Sequence, residues 1–378
     1  MLAPPCNKRY SFLWISLLLL LSSLWSGCYK WIEDLDLVGG LLFLDASHIL
    51  LSTSIPCPVD RNDSDTCQFC LFPNRIRKHP KITALLAVRN VDTLVSFGIR
   101  HLAEFCDSIV VLDDHSNDQT LLELKLLSRY YPIEAVIYFA SEWHKRDELR
   151  DRQILLAIGR MLRGTHFVVI DYDEIFAADC ISQLRKHILQ LPPGHSLYIP
   201  WIFPWNGTQY HAVPGRHTGH NLLNRSLATI FADHDNFQYP NWVSTKKMSI
   251  HVDRIPHFPN GSKPTNRRLL NCKILDLRFL SLDNLERKLL WYDGLGRISN
   301  ESRQVRGKVF RVNEMRQLCL QRIPPEWIAG YRYFDPSLFY NSDRWRCRQL
   351  EEWKRKYPHL FTEKCTDCKI SLSPDPCR

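Results

Sequence analysis

Four times between residues 81 and 191, a short apolar run gives way to a stretch whose apolar positions recur at helical spacing. Residues 81–88, K-I-T-A-L-L-A-V, predict a first buried strand. Leu94, Phe97, Leu102 and Phe105 then share one face of a helix over 93–105, with Asp92 or Thr93 as its cap and Gly98 weakening its middle. Residues 108–112, S-I-V-V-L, predict a second strand, 121–131 a helix, and 135–139 a third strand. A long amphipathic helix over 142–163, heavily charged at its start, leads to a fourth strand at 167–170 and a helix near 177–191. Strand-helix alternation of this kind predicts a mostly parallel sheet with helices on both faces.

After Pro192-Pro193-Gly194 the texture changes, and about 80 residues are dense in Trp, His, Pro and Asn. A strand over 196–205 would carry Trp201 and Trp205 on one face, a surface suited to sugar rings or to a core. Residues 282–290 read as helical, and 327–357 as part of an aromatic, basic terminal cap.

Functional loops in such sheets lie at the carboxyl ends of the strands. Three polar loops share that edge: Arg89-Asn90, residues 113–120, and residues 171–174. In the last, Asp171, Asp173 and Glu174 follow four apolar residues with no turn residue between. Buried carboxylates are costly without a cation. Strand alternation puts Asp171 and Asp173 on one side, where both could face a divalent ion. The competing reading is a helix N-terminal cluster complementing the dipole of the helix that follows.

An apolar run over 12–29 behind Lys8 and Arg9 has nearly the length that crosses a bilayer. It lacks a small-residue cleavage site, so it reads as an uncleaved signal anchor, with the chain beyond it facing outward. Residues 35–55 are a second apolar stretch, but Asp36, Asp45 and His48 interrupt it, which favours a stem or core segment over a second span. The organisation predicted is a cytoplasmic tip and anchor at 1–30, a stem at 31–80, a catalytic-type domain at 81–300 and a helical, Cys-containing cap at 301–378.

The net charge of +9 is scattered, with local enrichment at 75–81, 344–348 and 354–356. Such runs serve anionic donors or a membrane surface and do not call for nucleic acid. Thirteen cysteines include Cys67-x-x-Cys70 and Cys365-x-x-Cys368, too far apart for an ordinary zinc site. Five N-x-S/T sequons, at Asn62, Asn206, Asn224, Asn260 and Asn300, agree with a secretory lumen, where disulfides near both ends of the domain are the better reading. A cytosolic domain on a bacterial or viral membrane is the alternative if 35–55 also spans.

Four stretches carry a family resemblance. V-L-D-D-H-S-N-D-Q-T at 111–120 resembles the nucleotide-binding signature of family 2 glycosyltransferases, and V-I-D-Y-D-E at 169–174 resembles their D-x-D metal motif. A-V-R-N at 87–90 is similar to their opening strand, and L-R-F-L-S-L-D-N-L-E-R-K-L-L-W-Y at 277–292 to a downstream segment of one branch. Together they cover roughly residues 81–295.

The resemblance implies a GT-A fold, Rossmann-like α/β, and transfer of a sugar from a nucleotide-diphosphate donor to a glycan, lipid or protein acceptor. It implies that Asp114 contacts the base or ribose with Asp113 beside it, near Arg89. It also implies that Asp171 and Asp173 hold Mn²⁺ or Mg²⁺ against the diphosphate, with His257 or Asp276 as a further ligand. Arg152, or Arg150 on the same helix, would reach phosphate. The family chemistry is inverting, with a carboxylate as base; Asp233, Asp235 and Asp253 are the candidates, with His251 a fourth. Two departures stand out: His115 occupies a position where relatives carry Gly, and Asp276 one where they often carry His. A catalytically inactive GT-A-like protein that binds glycan or a partner is the competing reading.

Overall fold

The computed structural model describes residues 35–38, 41–45, 79–139, 148–213, 226–239, 252–298, 319–340, 342 and 344–361. The run at 12–29, both CxxC pairs, His251 and the sequons at Asn62, Asn224 and Asn300 lie outside them. Among the described residues no helix is long and apolar enough to cross a membrane.

A single mixed sheet organises the chain. Its strands are β1 (Leu35–Val38), β2 (Leu41–Asp45), β3 (Ile82–Val88), β4 (Ser108–Asp113), β5 (Ile133–Tyr138), β6 (His166–Val169), β7 (Glu174–Phe176), β8 (His195–Ile202), β10 (Ser226–Ala232), β11 (Thr265–Arg268) and β12 (Ile274–Asp276). A separate ribbon pairs β9 (Tyr210–Val213) with β13 (Cys319–Arg322). The helices are α1 (Val95–Ala103), α2 (Thr120–Leu127), α3 (Glu148–Met161), α4 (Ala178–Leu189), α5 (Leu282–Ile298), α6 (Ser337–Tyr340) and α7 (Arg344–Lys356).

The sheet order is β1-β2-β5-β4-β3-β6-β10-β8-β12-β7, with β11 also on β8. From β2 to β6 every pairing is parallel, as the alternating pattern predicts. Beyond β6 the sheet turns mixed, because β10 runs antiparallel to both β6 and β8 and β7 runs antiparallel to β12. The hairpin β1-β2, within the stretch expected as stem or core segment, extends the sheet from β5.

Alternate residues of β3 feed the two layers. Ile82, Ala84, Leu86 and Val88 pack with α1 and α4, while Leu85 packs with Ile154, Leu155 and Ile158 of α3. Helix α3 lies close because Gly159 faces the sheet, where a Cβ would stand 2.7 Å from the Phe167 ring and 3.0 Å from Leu85. Helix α1 starts later than predicted and takes no side-chain cap from Asp92 or Thr93; the Val91 carbonyl accepts from Leu94 and Val95 instead. A disulfide between Cys180 of α4 and Cys272 fastens that helix to the approach of β12.

Candidate active site

The loops at the carboxyl ends of β3 and β4 are hydrogen-bonded into one unit. The Asn90 amide donates to Ser116 Oγ at 2.7 Å, and the Asn117 amide to Asn90 Oδ1 at 2.8 Å. Thr120 Oγ1 accepts from the Val91 amide at 2.8 Å. Asn90 and His115 adopt left-handed backbones, with φ of 52° and 58°. His115 adopts this backbone with its Nδ1 3.0 Å from the Phe139 carbonyl oxygen, a contact that ties the loop to the end of β5.

The two neighbouring acids of this unit face different surroundings. Asp113 is fully buried, and its Oδ1 accepts from the Ser116 amide at 2.6 Å while Oδ2 has no partner among the described residues. Burial pushes its carboxyl up to about 6, against the pull of Ser116. Asp114 meets α3: Arg150 Nη2 donates to its Oδ1 at 2.9 Å, and Arg89 Nη1 stands 3.6 Å from Oδ2. Arg150 is fully buried, lies 4.1 Å from the centre of the Phe139 ring and also binds Asp151, so it orders the Asp114 loop. Arg152, two residues along, contributes instead to the field at Asp171.

The D-x-D stretch forms a tight turn between β6 and β7 and is not followed at once by a helix. Strand β7 lies between them because its open edge is held by side chains: the Phe176 amide donates to His101 Nε2 at 3.1 Å, and Tyr331 Oη donates to the Phe176 carbonyl at 2.6 Å. Its other edge pairs with β12, which sets Asp276 opposite Glu174, and the Leu277 amide donates to the Asp173 carbonyl at 2.7 Å.

Each acid here meets a base that the sequence did not single out. Arg254 bridges Asp171 at 2.9 Å and Glu174 at 2.5 Å. Lys288 of α5 lies 3.2 Å from Asp173, and Arg278 binds Asp276 at 2.6 Å. Glu174 is therefore the buried partner of a guanidinium and not a third open ligand. Partial burial would raise the Asp171 carboxyl, but Arg254, with Arg152, Arg278 and Lys288, holds it below the ordinary range. Asp173 is likewise lowered, its burial outweighed by Lys288 and Arg278. Burial lifts Asp276 to about 7, helped by Asp173 and Glu174 and opposed by Arg278.

Asp171 and Asp173 thus stay ionised at neutral pH and offer hard oxygen donors one residue apart. Such a pair suits a divalent cation that completes its shell with substrate oxygens. The wider ligand set does not assemble: among the described residues no group of three or more His, Cys, Asp or Glu is arranged to hold a metal. His257 pairs its backbone with Gln238, and its Nε2 lies 3.0 Å from the Asp253 carboxylate.

The candidate bases separate in the same way. Asp233 sits at the opposite edge of the sheet, where its amide donates to the Thr165 carbonyl at 2.9 Å. Arg160 grips its carboxylate with two bonds, at 2.8 and 2.6 Å. Asp235 is exposed in the turn that follows. That placement removes both as bases facing Asp171 and Asp173, because β10 runs antiparallel to β6 and carries its carboxyl end away from them. Asp253 directly precedes Arg254, half-exposed and flanked by His257 and Lys263. Nothing local in the sequence marks Arg254, but Arg278 and Lys288 lie within the family-like segment 277–292.

An aromatic wall adjoins the acids. Trp201 and Ile202 of β8 pair with β12 just before Asp276, and Arg278 sits 5.5 Å from the Trp201 ring centre. Phe203 and Trp205 continue the wall against Phe279, with ring centres 4.7 and 6.1 Å from it.

No protein-family model matches the chain, and no curated protein matches it in sequence. Among solved structures, residues 1–349 of Staphylococcus aureus TarS are 14% identical over 74% of this chain and 89% of that one, with a TM-score of 0.36. GalNAc-T7, solved with UDP, GalNAc and Mn²⁺, is 9% identical over 74% of this chain and 55% of that one, with a TM-score of 0.32. The Mycobacterium tuberculosis glucosyl-3-phosphoglycerate synthase, solved with Mn²⁺, UDP and phosphoglyceric acid, is 20% identical over 25% of this chain and 34% of that one, with a TM-score of 0.18.

Proposed function

We propose that this chain is a GT-A-type, family 2-like glycosyltransferase that moves a sugar from a nucleoside-diphosphate donor to a carbohydrate-bearing acceptor with inversion. The observation that carries the reading is that the Asp113-Asp114 loop and the Asp171–Asp173 turn share the carboxyl edge of the sheet on either side of β3, the turn ringed by Arg254, Arg278 and Lys288. A nucleoside diphosphate needs an acceptor-lined pocket for its base or ribose and a cationic seat for its phosphates, and the two loops offer one each.

Asp171 and Asp173 would hold Mn²⁺ or Mg²⁺, which when bound neutralises charge on the leaving diphosphate. The chain's own residues do the rest. Arg254 and Lys288 keep the two carboxylates ionised, and Lys288 and Arg278 offer N–H groups to phosphate oxygens. The aromatic wall at Trp201 and Trp205 offers a face for the acceptor ring. Asp253 is the base candidate on the segment that reaches the turn, and it would take the proton of the attacking hydroxyl. The reading includes a signal anchor at 12–29 and a luminal domain, a compartment with which the Cys180–Cys272 disulfide agrees.

The test is binding and hydrolysis of a panel of UDP-, GDP- and other nucleotide sugars by the full chain, with and without Mn²⁺, beside Asp173→Asn. Metal-dependent turnover that the substitution abolishes is expected. A folded protein that binds no donor at any metal concentration refutes it. That outcome would favour an inactive GT-A-like binding protein, a reading to which one observation lends weight: each acid of the turn already has a basic partner. Glycan occupancy at Asn206 or Asn260 after expression in animal cells tests the compartment.

A further inference from the structure

Two buried N–H groups beside the Asp114 loop have no acceptor among the described residues. One is Nε of Arg89, whose Nη1 reaches toward Asp114. The other is Nε1 of Trp345, near the start of α7 and only 8% exposed. The Arg89 guanidinium carbon stands 6.0 Å from the centre of the Trp345 ring, so the loop after β3 and helix α7 meet here. Arg346 covers the same ring at 4.6 Å.

The neighbouring indole shows the contrast. Trp291 packs against Trp345 with ring centres 5.6 Å apart, and its N–H donates to Gln349 Oε1 at 2.7 Å. Buried polar groups are almost always paired, and an unpaired donor is costly unless a ligand answers it.

We propose that Trp345 joins Arg89, a donor-site residue the family resemblance already implies, as a ligand of the donor nucleotide, the two giving Nε1–H and Nε–H to ribose or phosphate oxygens of a nucleoside diphosphate. The inference rests on the reading above and deepens it: the terminal cap becomes one wall of the donor site. Asp114, held by Arg150, faces Arg89 from the neighbouring loop, so this corner holds both acceptors and donors for a ligand that carries hydroxyls and anionic oxygens.

The experiment is equilibrium binding of uridine and guanosine diphosphates, with Mn²⁺, to the full chain and to Trp345→Phe and Arg89→Lys. Phe keeps an aromatic face beside Arg89 and removes the N–H; Lys keeps the charge and removes Nε–H. Each variant is expected to bind the better nucleotide roughly tenfold more weakly, with unfolding temperature in the absence of nucleotide close to wild type. Wild-type affinity in both variants overturns the inference while leaving the proposed function standing. Failure of the wild-type protein to bind either nucleotide, or any donor of the wider panel, removes both. Should Trp345→Phe lose its fold, Arg89→Lys alone decides the matter.

Discussion

Replacing Arg254 with Met tests whether the acids of the D-x-D turn depend on an internal cation. Arg254 is one-tenth exposed and bridges two carboxylates of different character. Asp171 is 41% exposed, so water screens it and its share of the loss is small. Glu174 is fully buried, and its nearest remaining cation would be Arg278 at 3.7 Å. Removing one partner of a buried ion pair costs about 3–5 kcal/mol, most of it the penalty of the stranded charge. At about 2–4 °C per kcal/mol for a domain of this size, the unfolding temperature should fall by roughly 6–20 °C. Adding Glu174→Gln should restore most of the loss, since the double variant strands no charge. Thermal and urea unfolding of the wild type, both single variants and the double variant give the cycle. A single variant within about 1 kcal/mol of wild type, or a double variant no more stable than Arg254→Met, refutes the reasoning.

Asp276 should make stability fall as pH rises, because its carboxyl, raised to about 7 by burial with Asp173 and Glu174, binds a proton in the folded chain that the unfolded chain releases near 3.8. The loss accrues between those two values, and urea unfolding at pH 5 and pH 7 should show a smaller drop in Asp276→Asn than in wild type. Asp233→Asn should lower stability by weakening the Arg160 clamp while leaving kcat per folded molecule unchanged; loss of turnover at full stability would return Asp233 to the reaction. Tyr331→Phe deletes the bond to the Phe176 carbonyl and should cost about 1–2 kcal/mol in urea unfolding; if the proposed metal site holds, weaker Mn²⁺ binding would show that the turn has shifted. Unchanged unfolding would show that His101 alone holds the strand.

The half of the fold that could be read from sequence is the half whose signals are local. Strands β3, β4, β5 and β6 are short apolar runs beside helices with one apolar face, so each element announces itself within a dozen residues. Strand β10 pairs with β6 some 60 positions back, and the three-residue strands β7 and β12 find each other across nearly 100, too short and too distant to leave a pattern. The acids of the site stood out because carboxylates after an apolar run are anomalous. Their partners did not: Arg254, Arg278 and Lys288 look like any surface base until the sheet closes around them. Asp233 was misleading for the same reason, as its role depends on Arg160, 73 residues earlier.

The Cys180–Cys272 disulfide joins positions 92 apart in sequence and closes a loop that contains β8, β9, β10 and β11. A single proteolytic cut anywhere between 181 and 271 would therefore leave two fragments still joined as one molecule. The nicked chain should migrate whole on a non-reducing gel and split on a reducing one. Strands on both sides of the cut would remain tethered at the concentration that sheet pairing requires. The covalent bond thus makes the mixed half of the sheet tolerant of a backbone break, a property the parallel half does not share through this link.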